Sequence, residues 1–186
     1  QAELVRDSLR NLAGAAGQSG DEIVAALQTA SRGTISEYDL MLTANRSLLL
    51  GVADTSSEMA ALMEVAAARG RAMGLSTQEA FDNIVTGIGR MSPLILDNLG
   101  IVTGGEKVFN DYAASIGRTA ASLSDAEKKQ ALVNSVIASS ADIVAGTASE
   151  TENAVISTQR LGSAWADLKV ALGESMAPVV VPAIEA

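Results

Sequence analysis

The sequence predicts an all-helical fold of about eight helices, folded back on one another or compact, with the last helix able to self-associate. Three observations predict it. Ser or Thr followed three residues later by an acidic residue recurs along the chain, and apolar residues repeat at helical spacing. The hydrophobic fraction of 48% holds only 3% aromatic residues, with Ala supplying much of the remainder, which favours closely packed helices over bulky cores.

Helix starts come first. Ser19 with Glu22, Thr55 with Glu58, Ser76 with Glu79, Ser124 with Glu127 and Ser149 with Glu152 each match the capping box. In that motif side chain and backbone satisfy two orphan amides reciprocally. Ser36 with Asp39 is a weaker version. Such a density of helix starts does not fit a sheet.

Periodicity agrees. Phe81, Ile84, Val85 and Ile88 fall on one helical face, as do Val133, Ile137 and Val144 beside Leu132, Val136 and Ile143. The expected core joins Phe81, Ile84, Ile88, Leu94, Leu96, Leu99 and Ile101 to Val133, Ile137 and Val144. Near the end, Leu161, Trp165, Leu168 and Leu172 are spaced four, three, four, a short seam that packs within the chain or against another copy. These four are the candidate self-association residues.

Breaks are read from Gly and Pro at Gly17–Gly20, Gly33, Gly51, Gly70–Gly74, Gly100–Gly105, Gly117 and Gly146. Pro93 is read as the first residue of a short helix capped by Ser92, so the chain should turn between Arg90 and Pro93. Helices are expected near 2–16, 20–32, 37–50, 57–72, 77–90, 105–116, 125–145 and 150–175, with the short one at 93–98. The expected organisation is an N-terminal helical portion over 1–55, a helical domain over 56–149 and a C-terminal amphipathic helix over 150–186. Beginning at Gln1 and ending at Glu185 and Ala186 just after "VVVPAI", the chain reads as cut at both ends from a longer protein, or as deliberately trimmed.

Composition narrows the function. A net charge of −9 disfavours binding to phosphate backbones, which requires a Lys and Arg surplus on one face. The absence of Cys and His removes disulfides, structural zinc, thiol nucleophiles and the usual proton-transfer side chain, so no cofactor or metal is expected. No apolar run reaches the roughly 18 residues of a membrane span.

Motifs that imitate chemistry fail in detail. Gly87, Gly89 and Ser92 approach a dinucleotide fingerprint but end a helix instead of following a strand, where they would loosen the terminus for the Ser-Pro restart. Gly100, Gly105 and Lys107 imitate a phosphate loop, but Glu106 puts negative charge where Lys should stand. Carboxylate pairs such as Glu150 with Glu152 or Asp82 with Asp97 have no fixed separation, and solvated faces and first-turn acids account for them. Arg90 and Asp97 bracket the Ser-Pro helix and could pair across it. An enzyme is not expected.

Three stretches carry a family resemblance: "STQEAFDNIVTGIGRMSPLILDNLGI", "YAASIGRTAASLSDAEKKQALVNSVI" and "RLGSAWADLKVALGESMAPVV". Their Gly89–Arg90, Ser92–Pro93, Asp97–Ile101, Gly117–Thr119, Leu123–Ala131 and Leu161–Gly173 elements resemble tape measure proteins of tailed bacteriophages, over about two thirds of the chain from Met59 onward. The resemblance implies a virion structural protein that sets tail length inside the tail tube and assists genome delivery. It also implies tail tube protein, tail tip proteins and tail assembly chaperones as partners, and a homo-oligomer without specific nucleic-acid binding. Membrane contact would come at genome ejection, and the site of action would be the tube lumen or tail tip after synthesis in the host cytoplasm. The alternative is a secreted or surface helical module that binds a partner helix or membrane.

Overall fold

The computed structural model describes residues 1–148 together with Arg160, Gly162, Ser163, Ala164, Ala166, Asp167 and Val170. Every regular element among them is helical: α1 (Ala2–Ala15), α2 (Gly20–Ala30), α3 (Glu37–Leu50), α4 (Ser56–Met73), α5 (Thr77–Gly89), α6 (Pro93–Asp97), α7 (Glu106–Ser115), a 3₁₀ turn (Ala120–Ser122), α8 (Asp125–Ser139) and α9 (Ala141–Ala148). The 3₁₀ turn is not foreshadowed by any capping or periodic signal.

The predicted starts hold their caps to different degrees. Ser76 and Ser124 form complete boxes, with Glu79 and Glu127 accepting from the cap residues' own amides at 3.0 and 2.8 Å. At Ser19, Ser36 and Thr55 the cap oxygen accepts from the backbone three residues on, and the reciprocal arm is missing. At Thr55 the reason is competition. Glu58 accepts from the Thr55 hydroxyl at 3.0 Å and from Gln130 of α8 at 2.7 Å, so its carboxylate ties α4 to α8. The Ser149–Glu152 box and most of the expected 150–175 helix lie outside the described residues.

α4 is the hub. It packs on α2, α5, α8 and α9, while α1 lies on α2 and α3, α6 on α5, and α7 on α8. One apolar cluster runs from Leu9 to Val136 and crosses residue 55. Phe81, Ile84, Ile88, Leu96, Leu99, Ile101 and Val133 are fully buried in it, with Ile137 and Val144 packed at its edge. Leu94 is the exception to the expected core: it is 79% exposed, because the short α6 turns Leu96 inward and its first residues outward.

The expected Gly70–Gly74 break occurs at Gly74, the left-handed cap of α4, and the one expected at Gly146 does not occur. Gly70 lies inside α4 and Gly146 inside α9. Gly70 marks a close crossing instead, since a Cβ there would stand 3.0 Å from the Cβ of Ala80 on α5. Conversely, the helix expected over 125–145 is broken at Ser140, with no Gly or Pro to announce it. At this break Arg69 of α4 donates to the Ser139 carbonyl at 3.1 Å, a group that a continuous helix would hold internally, and to the Ser140 hydroxyl at 3.3 Å.

The turn after α5 occurs where the Ser-Pro predicts it. Met91 adopts φ 50°, and Ser92 N–H reaches back to Gly87 O at 2.8 Å before Pro93 opens α6. Ser92 makes no side-chain cap bond, so it is the Pro and the left-handed residue that set this corner. Nor is Gly87 there for looseness: a Cβ would lie 2.7 Å from Leu96 Cδ2, so α5 and α6 touch through its bare backbone.

Candidate functional site

The expected self-association residues Leu161, Trp165, Leu168 and Leu172 lie outside the described residues. Their described neighbours are placed against the body of the fold, at the turn that joins α2 to α3. That turn begins with a Schellman-type closure of α2, in which Gly33 N–H bonds Gln28 O and Arg32 N–H bonds Thr29 O, both at 3.0 Å. The left-handed position in that motif usually falls to Gly, yet here Arg32 occupies it at φ 54°, followed by Gly33 at φ 67°. Thr34 Oγ1 then donates to Ser31 O at 2.7 Å and tightens the turn.

Arg32 repays its strained backbone from both ends of the residue. Its guanidinium donates to Thr147 O near the end of α9 at 3.1 Å, and its own carbonyl accepts from Arg160 Nε at 2.6 Å. The next carbonyl, Gly33 O, accepts from Ser163 Oγ at 2.7 Å.

Four residues further on, α3 starts. Ser36 Oγ accepts from Asp39 N–H at 3.2 Å, which leaves Glu37 N–H for an outside acceptor, Asp167 Oδ1, at 2.8 Å. The Glu37 side chain is engaged by Arg6 of α1 at 3.3 Å. Burial pushes the Asp167 carboxyl above the ordinary aspartate range, the bonds from the Glu37 and Tyr38 amides oppose it, and the Glu37 and Asp39 carboxylates add to it. A cleft of about 260 Å³ remains between this segment, the turn and the start of α5, with Thr34, Ser36, Asp39, Gln78, Ser163 and Ala166 on its walls.

The same chemistry recurs at other helix ends. Lys129 of α8 donates to Leu50 O, the last carbonyl of α3, at 2.6 Å. Arg69 adds Gly100 O, after α6, at 3.1 Å to its two bonds at the end of α8. Arg118 donates to Ser122 O and pairs with Glu127. Lys129 and Arg69 sit where unpaired carbonyls and the negative end of a helix dipole lie, whereas Arg118 joins the 3₁₀ turn to the first turn of α8.

Further cations pair with carboxylates: Arg10 with Asp21, Arg46 with Asp82, Lys107 with Asp111 and Lys128 with Asp125. Positive charge is therefore largely engaged within the fold. Arg90 and Asp97 form no ion pair with each other, and Asp82 faces Arg46. Burial raises the Asp82 carboxyl, Arg46 lowers it and Asp39 raises it. Among the described residues no group of His, Cys, Asp or Glu could hold a metal ion, and no helix is long and apolar enough to cross a membrane.

Sequence reasoning did not single out Arg32, Arg69, Lys129 or Asp167. Each acts on a backbone group far away in the chain, so no local spacing reveals it. No family model, no curated protein and no solved structure matches the chain.

Proposed function

We propose that the chain is a segment of a tape measure protein of a tailed bacteriophage, a non-catalytic structural component that sets tail length inside the tail tube and assists genome delivery. The observation that carries this reading is the corner from Gly87 to Ile101. Several residues that resemble the family there are ones the fold depends on: a Cβ on Gly89 would stand 3.0 Å from the Leu50 side chain, Pro93 restarts the helix, and Leu99 and Ile101 are fully buried. Charge supports it as well. With most described cations engaged internally and a net charge of −9, the surface repels DNA of the same sign, which suits a protein that precedes DNA through a narrow channel.

In this reading the partners are the tail tube protein, tail tip proteins and tail assembly chaperones, together with further copies of the chain. The protein is made in the host cytoplasm and acts in the virion, in the tube lumen or at the tip. Because α1–α9 fold back on one core, the segment is better suited to a folded end-piece than to a stretched ruler.

An in-frame deletion of residues 76–146 in the phage tests this. An end-piece loses tail assembly or misdirects it. Normal-looking tails shortened by about 1.5 Å per deleted residue would make the segment part of the ruler, and tails of unchanged length and form would overturn the proposal.

A second reading, a helical module that binds a partner helix, is favoured by Leu42 and Leu49, seven residues apart on α3 and 41% and 70% exposed. A short, free-standing gene without tail genes beside it would select this reading over the first.

A further inference from the structure

We propose that Arg69 is a clasp that chooses between two arrangements of α8 and α9: bent at Ser140 with α9 on α4, as here, or joined in one helix over residues 125–148. The inference goes beyond the functional reading above and does not depend on it.

The chain from 125 to 145 holds no Gly and no Pro, so no residue in it demands a bend. The bend is made at one residue. Ser140 sits at φ −110° and ψ 1°, its N–H bonds Ile137 O at 3.2 Å, and the helix resumes at once, with Val144 N–H on Ser140 O at 3.0 Å. The amides of Ala141, Asp142 and Ile143 lie between those two bonds and donate to no carbonyl of α8. In one continuous helix they would donate to Ile137, Ala138 and Ser139 in turn, four residues back. Bending gives up these bonds, and contacts from outside the two helices have to offset them.

Arg69 is placed to do so. Its Nε donates to Ser140 Oγ at 3.3 Å, which takes from α9 the hydroxyl that could have capped its first turn. Its Nη2 donates at 3.1 Å to Ser139 O, the acceptor that Ile143 N–H would use in a continuous helix. The rest of the docking is slight. Among the described side chains of α9 none is buried, and Ile143, Val144 and Thr147 are half-buried. Beyond Arg69, α9 is tied down by Val144 at the edge of the core and by the Arg32 bond to Thr147 O at 3.1 Å.

The same guanidinium reaches a second place. Its Nη1 donates to Gly100 O at 3.1 Å, where the chain leaves α6 in the left-handed region at φ 65°. One side chain thus joins the corner after α6 to the elbow after α8, and a disturbance at either place is felt at the other.

Amide exchange followed by NMR on the full chain tests the clasp. In the parent, Ala141, Asp142 and Ile143 should exchange rapidly. Arg69→Met keeps the stem on α4 and removes every donor, so α8 and α9 should join and protection of these amides should rise about tenfold, while the amides of α5 keep the protection they have in the parent. Gly100→Ala leaves the guanidinium in place but strains the turn that receives it, with a Cβ 3.4 Å from Arg69 Nη1, and should protect the same amides by a smaller factor. Open amides at 141–143 in Arg69→Met, with α5 still protected, overturn the proposal. If that variant fails to fold, Ser140→Ala, which takes one acceptor from the clasp without adding bulk, decides: a rise at the same amides supports the clasp, and no rise overturns it. Gly100→Ala without effect on the elbow overturns the link between the two places.

Discussion

Around Ile88 the surroundings are hydrocarbon: Met59, Leu62, Phe81, Ile84 and Val133 are buried with it, and the attraction among them has no preferred direction. Around Glu37 N–H the surroundings are polar, and one carboxylate from the 160–170 segment makes the contact with a hydrogen bond of 2.8 Å. The first arrangement resists opening because exposing any part of it releases apolar area to water. The second exchanges protein partners for water partners at small net cost, since an ordinary hydrogen bond contributes only about 0.5–1.5 kcal/mol. The core is thus held by apolar area, and the contact at Glu37 by the direction of a hydrogen bond.

The largest effect that separates the two comes from placing a charge in the body. Ile88→Asp would bury an unpaired carboxylate among those hydrocarbons and cost several kcal/mol, so the helical signal should melt far below that of the parent chain. Thermal unfolding unchanged by this variant would mean that the helices do not share the core described. Ser163→Ala, by contrast, should leave the same melting curve in place.

Gly87→Ala probes the corner between α5 and α6. Alanine is the better helix former by about 1 kcal/mol, but its Cβ would press on Leu96 Cδ2 at 2.7 Å and on Cγ at 2.8 Å. Leu96 is fully buried and has no room to withdraw, and overpacking costs about 1–3 kcal/mol. A net loss of about 1 kcal/mol in a denaturant titration is expected. A gain would show that the corner is loosely filled.

These two regions were not equally legible in the sequence. Capping boxes at Ser76 and Ser124, the Ser-Pro corner and the 81–88 stripe could be read because cause and effect lie within a few residues. The break at Ser140 could not, since its partner Arg69 is about seventy residues away in the chain and no Gly or Pro marks it. Gly146 misled for the complementary reason: a lone glycine weakens a helix by about 1 kcal/mol and does not end it. The candidate seam at Leu161, Trp165, Leu168 and Leu172 was visible as spacing, whereas the polar bonds of Arg160, Ser163 and Asp167 needed the fold to bring a distant turn beneath them.

Acid should act with opposite signs on two sets of carboxylates. In the body, the bonds from Ser76 hold Glu79 below the ordinary glutamate range, and those from Ser124, helped by Arg118, do the same for Glu127. A depressed folded value means that the stabilisation is present above the unfolded value and is lost as pH falls through the folded one. Asp82 and Asp167 are raised, so their contributions are present below the unfolded value and are lost as pH rises through the folded one. Stability measured from neutral pH down through the carboxylate range should fall, and a combined Glu79→Gln and Glu127→Gln variant should flatten that fall. Asp82→Asn should leave it in place or deepen it. An acid limb untouched by the glutamine pair would assign the loss to other carboxylates.

The smallest expected effect is at Arg32, which bonds Thr147 through its side chain and receives Arg160 on its carbonyl. A non-glycine side chain in the left-handed region costs about 1–2 kcal/mol, and the guanidinium bond to Thr147 O offsets about 0.5–1.5 kcal/mol of it. Arg32→Gly removes both, so the melting temperature should barely move. Arg32→Ala keeps the strained Cβ and loses the bond, and should fall below the glycine variant by about 1 kcal/mol. Neither change touches the Arg32 carbonyl that receives Arg160. Equal stability of the two variants would show that the left-handed turn stores no strain.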